Sequence, residues 1–375
     1  MADKRQLVPQ NRGISCHCWS GDGSCLALSP NDNTMQIYST ANWEKIADLD
    51  DHDLHVSGMD WCPLTNMLVT ASHDRNAFVW NWDETESRWK PSLVILRIDR
   101  AALDVKWSPD GQKFAVASGA KCVPICHYEE DNDWWVSKMV KKHKSTVTSL
   151  SWHPCSQLIA TGSTDFKCRV ISAFVSAVDG EQVSGPFPDP IPFGDVYAEF
   201  TCQGWVQSVC WSPSGTSLAY CGQDSSLQVV TFGGGEPVQQ TIRFNQLPLT
   251  SLEFLSDTCL VGAGHDMNPI LFSGGGNGWA FNRFVDEKKE KKAEASTGGG
   301  VSAARARFQA MSKRGDEGSK TEDLFTQHES AITCIQLIGE IGGSSFSKFS
   351  TSACDGRLVV WDLPALGIDT AALGI

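Results

Sequence analysis

Short runs rich in apolar residues with polar ones interspersed recur along the chain, some ending on a bulky Trp. Leu68-Val69-Thr70-Ala71, Asn76-Ala77-Phe78-Val79-Trp80, Leu158-Ile159-Ala160-Thr161-Gly162 and Arg357-Leu358-Val359-Val360-Trp361 are examples. Such runs, bounded by Gly, Pro, Asp and Ser, predict short β-strands separated by tight turns. The turns are regular too: Trp107-Ser108-Pro109-Asp110-Gly111, Trp211-Ser212-Pro213-Ser214-Gly215, Trp152-His153-Pro154 and Trp61-Cys62-Pro63. Pro presets φ and Gly tolerates positive φ, so these segments suit chain reversal.

The runs have a common register. Trp19, Trp61, Trp107, Trp152 and Trp211 occupy one position, and in four of these copies an Asp follows: Asp32, Asp74, Asp165 and Asp224. Six residues after each Asp comes Tyr38, Trp80, Ile171 or Val230. A sixth copy carries Phe254, Asp266 and Phe272. A seventh runs from His328 through Leu337 to Asp355 and Trp361, with a Gly/Ser-rich extension from Gly342 to Ser347. In the third copy Ala120 stands where Asp is expected and Cys126 where Trp is, which predicts a blade without the usual polar clasp. A register repeated about every 40–45 residues predicts WD-type repeats closing into an all-β, seven-bladed propeller. Arg5-Gln6-Leu7-Val8 precedes the first copy, while the last copy has only three strands. The early segment is therefore expected to form the outermost strand of the last blade, because an open sheet edge invites aggregation.

Three copies place a His four residues ahead of the first strand: His52, His143 and His328. In WD repeats such a His, the turn Asp and the third-strand Trp form a buried hydrogen-bonded chain. His52 is expected to join Asp74 and Trp80, His143 to join Asp165, and His328 to join Asp355 and Trp361. A His–Asp pair also suits catalysis, but a site repeated once per blade is structural, because buried polar groups need partners. Cys122, Cys126 and His127 raise the thought of a zinc site. They share one strand, where successive side chains point to opposite faces, so they do not converge. With no phosphate-binding Gly loop and no nucleophile elbow, the chain is expected to be neither an enzyme nor a cofactor binder.

Composition narrows the partners. Among 375 residues the formal net charge is −13, which disfavours nucleic acid. No run is long and apolar enough to span a bilayer, so no membrane role is expected. Fourteen cysteines without a CxxC pair, behind a Met-Ala-Asp-Lys start lacking a secretory segment, predict a cytosolic protein with reduced thiols.

Two stretches fall outside the repeats. One, roughly Asp179 to Asp195, holds four prolines and is expected to be an extended surface loop between the fourth and fifth copies. The other spans residues 286–327, between the sixth and seventh. A charge run, Asp286 to Lys292, and a flexible Ser296-Thr297-Gly298-Gly299-Gly300 tether lead to a predicted short helix over about 301–312. Val301, Ala304, Phe308 and Met311 share one stripe, with Arg305, Arg307, Lys313 and Arg314 around it. From Asp286 to Lys320 the net charge is +3, against −16 for the rest. A basic amphipathic helix beside an acidic body predicts a partner-binding arm.

Asp133-Trp134-Trp135-Val136-Ser137-Lys138, His143 to Pro154, and Asp165-Phe166-Lys167-Cys168-Arg169 closely resemble WD-repeat subunit 1 (the forty-kilodalton subunit) of the actin-related protein 2/3 complex. Ser72-His73-Asp74-Arg75-Asn76-Ala77, Trp107-Ser108-Pro109 and the insertion itself fit the same family, over essentially the whole chain. The resemblance implies a non-catalytic cytoplasmic scaffold of the actin cytoskeleton. It implies contacts with the other complex subunits, actin-related proteins, the actin filament and nucleation-promoting factors. It also implies that the insertion helix, with Phe308 and Met311, engages an actin-like cleft. A generic WD-repeat adaptor, such as a ubiquitin-ligase substrate receptor, is the competing expectation, because fold alone does not set function.

Overall fold

In the computed structural model, which describes residues 2–233, 235–275, 278–286, 326–339 and 342–375, each repeat becomes one four-stranded antiparallel sheet. Strand β1 (Asp3–Gln6) stands apart at the start. Blade 1 is β2 (Cys16–Trp19), β3 (Cys25–Ser29), β4 (Met35–Ser39) and β5 (Lys45–Leu49). Blade 2 is β6 (Val56–Trp61), β7 (Leu68–Ser72), β8 (Asn76–Asp83) and β9 (Arg88–Ile95). Blade 3 is β10 (Ala102–Trp107), β11 (Lys113–Ser118), β12 (Val123–Glu129) and β13 (Trp134–Val140). Blade 4 is β14 (Val147–Trp152), β15 (Leu158–Ser163), β16 (Lys167–Ser172) and β17 (Val196–Thr201). Blade 5 is β18 (Val206–Trp211), β19 (Ser217–Gly222), β20 (Ser226–Thr231) and β21 (Val238–Arg243). Blade 6 is β22 (Leu249–Ser256), β23 (Cys259–Gly264), β24 (Ile270–Gly275) and β25 (Gly278–Phe284). Blade 7 is β26 (Ile332–Ile338), β27 (Lys348–Ala353) and β28 (Arg357–Asp362), with β1 as its outer strand. The fold is a seven-bladed WD-repeat β-propeller. Among the described residues the only helical turns are three short 3₁₀ segments.

The ring closes as the strand count predicts, with a shifted boundary. Asp3 to Gln6 pair with Val360 to Arg357, so the closing strand starts two residues earlier than Arg5 and ends before Leu7. Val8 still donates its N–H to the Gly356 carbonyl at 3.1 Å. His17 locks the same seam, its two ring nitrogens lying 2.9 and 2.8 Å from the hydroxyls of Ser352 and Ser350.

Adjacent blades are joined at one repeated place. In blades 2 to 7 the first strand carries a register shift after its first residue, as between Val56 and Gly58 or Val147 and Ser149. Such a bulge re-aims the extra residue. In most blades that residue is Ser or Thr, and its hydroxyl reaches the first strand of the next blade or, for Thr333, the segment just before it. Ser57 donates to Ala102 O at 2.7 Å, Thr148 to Val206 O at 2.6 Å, Thr250 to Ile332 O at 2.7 Å and Thr333 to Ile14 O at 2.8 Å. Ser15 does the same to Val56 O at 3.0 Å. Blade 3 has Leu103 there, and the carboxylate of Asp104 accepts the Leu150 N–H at 3.1 Å instead. Blade 5 has Gln207, and the Ser208 hydroxyl accepts the Leu252 N–H at 3.2 Å.

Between the blades lie apolar clusters. One joins Val69 and Val79 of blade 2 to Val105, Trp107 and Phe114 of blade 3, all buried. Each such side chain contributes roughly 1.5–3 kcal/mol of hydrophobic stabilisation. The blades approach closely where side chains are small: a Cβ on Gly58 would sit 2.9 Å from Asp104 Cα. All fourteen cysteines are unbridged, and most are buried as small apolar groups.

The proline-rich stretch corrects the expectation of a loop between blades. It lies inside blade 4, joining β16 to β17. It is also pinned. Asp179, 3% exposed at its side chain, sits 2.5 Å from the Lys113 ammonium, which is fully buried. Lys113 also donates to Ala173 O at 3.3 Å. Phe187 stacks on Tyr197 with ring centroids 4.6 Å apart. A buried ammonium needs this pairing, since an unpaired buried charge is costly.

Candidate functional site

The turn between a blade's second and third strands meets the segment leading into its first strand, and a polar chain forms there. In blade 2, His52 Nδ1 lies 2.7 Å from Asp74 Oδ2 and Nε2 lies 2.9 Å from Thr70 Oγ1. Trp80 donates its indole N–H to the same Thr70 hydroxyl at 2.9 Å. Blade 7 repeats the arrangement. His328 is 3.4 Å from Asp355 and 2.7 Å from Thr351, and Trp361 donates to Thr351 at 2.8 Å. Blade 4 differs. His143 is 2.8 Å from Thr161 but 3.5 Å from Asp165, and the Arg169 guanidinium sits between, 2.8 Å from each. Ile171 fills the third-strand Trp position, so Thr161 has no indole donor, and Arg169 instead bridges His143 and Asp165.

An Asp–His–Thr chain has the outline of a nucleophilic triad, which makes access the deciding test. Thr70, Thr161 and Thr351 are each 0% exposed, and no substrate reaches them. Burial alone would raise the three carboxyls. Hydrogen bonds from the His and backbone N–H groups, with Arg169 in blade 4, outweigh it and hold Asp74, Asp165 and Asp355 below the ordinary value. Burial, then Arg169, lowers His143 to about 4, so it is neutral at pH 7. These groups brace turns.

The axial channel holds a second polar cluster. Lys106 lies 3.8 Å from Asp60, and Asp104 and Glu253 face the same space. Burial raises Asp104 to about 6 and Glu253 to about 7, each opposed by Lys106. The cavity there is about 160 Å³, and Lys106, Asp104 and Glu253 are the charged residues of its walls. Among the described residues no group of three or more His, Cys, Asp or Glu is placed to hold a metal ion. Cys126 and His127 are consecutive on β12, while Cys122 precedes the strand.

The end of the ring that carries the clasp turns offers contact chemistry. Phe166, Trp205 and Leu247 are 44%, 48% and 53% exposed on blades 4, 5 and 6. Phe166 O accepts the Cys202 N–H at 2.9 Å and Trp205 O accepts the Gln223 N–H at 2.9 Å, so both aromatics stand on braced loops. Exposed Arg75, Arg100, Lys121 and Lys144 belong to the same end on blades 2 to 4. Exposed aromatics beside basic residues mark an interaction surface. Sequence reasoning passed over Phe166, Trp205 and Leu247 as contact residues, because an apolar residue in a turn has no periodic signature.

The insertion departs from this same end. Asn268, in the turn between β23 and β24, donates to Asp286 O at 2.8 Å and accepts the Asp286 N–H at 3.1 Å. The Asp286 carboxylate accepts the Gln327 N–H at 2.8 Å. The segment thus leaves and rejoins the ring at one point. Val301, Ala304, Arg305, Arg307, Phe308 and Met311, and the helix expected over 301–312, lie outside the described residues.

Three stretches of the chain, residues 43–81, 135–172 and 194–230, match the family model described as WD domain, G-beta repeat. Over 357 residues the chain is 42% identical to actin-related protein 2/3 complex subunit 1B of Arabidopsis thaliana, covering 93% of this chain and 94% of that protein. It is 41% identical to subunit 1A-B of that complex from Xenopus laevis, covering 94% and 95%. The Schizosaccharomyces pombe subunit 1 is 36% identical, with 92% and 96% covered. These names are those of a complex subunit and none is an enzyme's.

Proposed function

The chain belongs to the family of subunit 1 of the actin-related protein 2/3 complex, and we propose from that membership that it is a non-catalytic scaffold of branched actin nucleation. It works in the cytoplasm at the actin cytoskeleton. It holds neighbouring subunits and an actin-related protein on its blade surfaces and helps to seat the assembly on the mother filament. Nucleation-promoting factors with acidic tails find complementary charge in the basic sector of Arg75, Arg100, Lys121 and Lys144.

The observation that carries this reading is the coincidence of two features at one end of a braced ring. Exposed Phe166, Trp205 and Leu247 lie there, and so do the joined feet of the insertion at Asp286 and Gln327. The His–Asp–Thr chains that resemble catalytic groups are sealed inside, so the chemistry on offer is contact chemistry. The insertion helix adds an anchor: Val301, Ala304, Phe308 and Met311 face an actin-like cleft, with Arg305 and Arg307 on its acidic rim. Burying Phe308 and Met311 contributes roughly 1.5–3 kcal/mol each before ordering costs, enough to orient a contact but too little to hold a complex alone.

Two experiments test it. Affinity purification of the tagged chain recovers a stoichiometric assembly containing actin-related proteins; recovery with ubiquitin-ligase components and no actin-related protein overturns the reading. Phe308→Asp leaves folding and assembly intact and weakens branching or filament attachment. Unchanged branching removes the arm from the mechanism.

A further inference from the structure

On the opposite end of the ring a groove of about 1160 Å³ runs between blades 2, 3 and 4. Its floor includes His127 and Trp135, and one wall is the hairpin joining β12 to β13. The other wall includes Ala177 and Val178, next to the Asp179 that Lys113 holds in place. Val175 N–H donates to the Asp179 carboxylate at 2.6 Å, and Asp179 N–H to Val175 O at 2.8 Å. This wall is therefore built by a buried ion pair and its own hydrogen bonds.

The hairpin is acidic and lacks its own counter-charge. Glu129, Glu130, Asp131 and Asp133 line the groove. Asn132 engages Glu129 at 2.8 Å and Tyr128 engages Asp133. Glu130 and Asp131 are exposed and have no side-chain partner among the described residues. The matching hairpin of blade 2 is different: Lys90 lies 2.5 Å from Asp83 and 2.7 Å from Glu86, and Arg88 lies 2.6 Å from Glu86. Blade 2 pairs two of its three hairpin carboxylates, Asp83 and Glu86, with its own Arg88 and Lys90, whereas blade 3 has no Lys or Arg in its hairpin and leaves its charge facing the groove.

His127 points the same way. It is 1% exposed and lines the groove, yet its Nδ1 has no hydrogen-bond partner. Its Nε2 lies 3.9 Å from Glu129 Oε1, too far for a hydrogen bond. A buried polar atom without a partner is an unmet demand that a ligand group satisfies. The side-chain amides of Asn81 and Gln112 also face the groove without partners among the described residues. Tyr128 and Trp135, with ring centroids 5.5 Å apart, add aromatic surface beside the carboxylates. That is the setting in which Arg and Lys bind by cation–π contact.

We propose that this groove is a docking site for an extended, Lys- or Arg-bearing segment of another protein. The volume exceeds that of a typical small-molecule pocket and the groove is open, which suits a polypeptide. Unpaired carboxylates favour a cationic occupant and repel nucleic acid. Free amides and the His127 ring nitrogen suit main-chain hydrogen bonding. The proposal is independent of the insertion arm, which leaves from the other end of the ring.

The test uses the full chain and a fluorescein-labelled decapeptide of alternating arginine and glycine, read by fluorescence anisotropy at about 50 mM salt, where exposed charges are weakly screened. Glu130→Gln/Asp131→Asn, both exposed and so harmless to the fold, is expected to weaken binding about tenfold. Asp50→Asn/Asp51→Asn removes the same charge on the other end of the ring and is expected to change it less than about twofold. His127→Phe, checked for native circular dichroism, is expected to weaken binding several-fold without altering its salt dependence. Equal losses in the two charge-matched variants, or no saturable binding, overturn the proposal. If His127→Phe fails to fold, the two charge variants alone decide it.

Discussion

In blade 2 four polar side chains meet beneath the turn: His52, Thr70, Asp74 and Trp80. In blade 3 the strand register puts Ile98, Val116, Ala120 and Cys126 at the same four positions. All four are apolar and pack in or against one cluster with Val105, Trp107 and Phe114. Blade 3 has also lost the bridging hydroxyl of its first strand, where Leu103 stands. The two blades have the same strand topology and lie side by side, so the fold accepts either chemistry. A mixed set is costlier: in blade 5 Cys202, Tyr220 and Val230 accompany Asp224, whose Oδ2 is buried without a hydrogen-bond partner among the described residues. A buried hydrogen bond contributes only about 1 kcal/mol net, but an orphaned buried partner costs about 1–3 kcal/mol. Replacing every member leaves no orphan, whereas replacing one leaves its neighbours unsatisfied. Blade 4 varies the chain in another way: Ile171 removes the indole donor to the Thr hydroxyl, and Arg169 bridges His143 and Asp165 so that neither is left without a partner.

The contrast can be broken most forcefully at its largest side chain. Trp80→Ala opens a cavity and frees Thr70, and is expected to cost about 3–5 kcal/mol in urea unfolding. Cys126→Ala at the matching site of blade 3 is expected to cost only about 1 kcal/mol. Equal costs would mean that the clasp adds nothing to burial.

Protonation attacks the clasp of blade 4, whereas the matching four positions of blade 3 hold no His or Asp. His143 is held to about 4 in the fold, below its ordinary value near 6.5. The unfolded chain therefore takes up this proton first as pH falls. The stabilisation is present above about pH 6.5 and is lost toward pH 4, by about 2–3 kcal/mol in full. His143→Gln is expected to flatten the pH dependence of unfolding across that window, and an unchanged slope would sink the assignment.

A coupling experiment sharpens the network argument. His52→Leu and Thr70→Val each leave a partner unsatisfied, so their combined cost is expected to fall short of the sum by about 1 kcal/mol in a double-mutant cycle. Strict additivity would contradict a shared network. The smallest effect belongs to blade 1, where Arg12 and Asp32 pair at 2.8 Å with Arg12 59% exposed. Arg12→Ala is expected to shift stability by less than about 0.5 kcal/mol.

Much of this was legible in the residues. The Trp, Asp and bulky positions recur at fixed spacing, and the missing strand of the last copy called for one from the N-terminal segment. Thr70, Thr161 and Thr351 were less visible, since Thr is ordinary in strands. A signal did exist: the three copies with a His ahead of the first strand carry Thr at this slot, while the others have Leu28, Val116, Tyr220 or Gly262 there. Arg169 was hidden because its two partners, Asp165 and His143, are supplied from different turns. The acidic hairpin of blade 3 was recognisable as family sequence around Trp134 and Trp135, but its groove was not, because three blades build it.

The order of residues alone determined the number of blades, the strands in each and the way the ring shuts, since these follow from backbone periodicity and turn chemistry within some forty residues. Only the tertiary structure decided which hydroxyl reaches which neighbouring blade, where the Lys113–Asp179 pair pins a proline-rich loop, and which carboxylates remain without a cation. Those contacts join residues about 40 to 80 positions apart, or 319 apart where Thr333 meets Ile14 across the closure, so no local spacing rule operates and the register is set by blades already packed together.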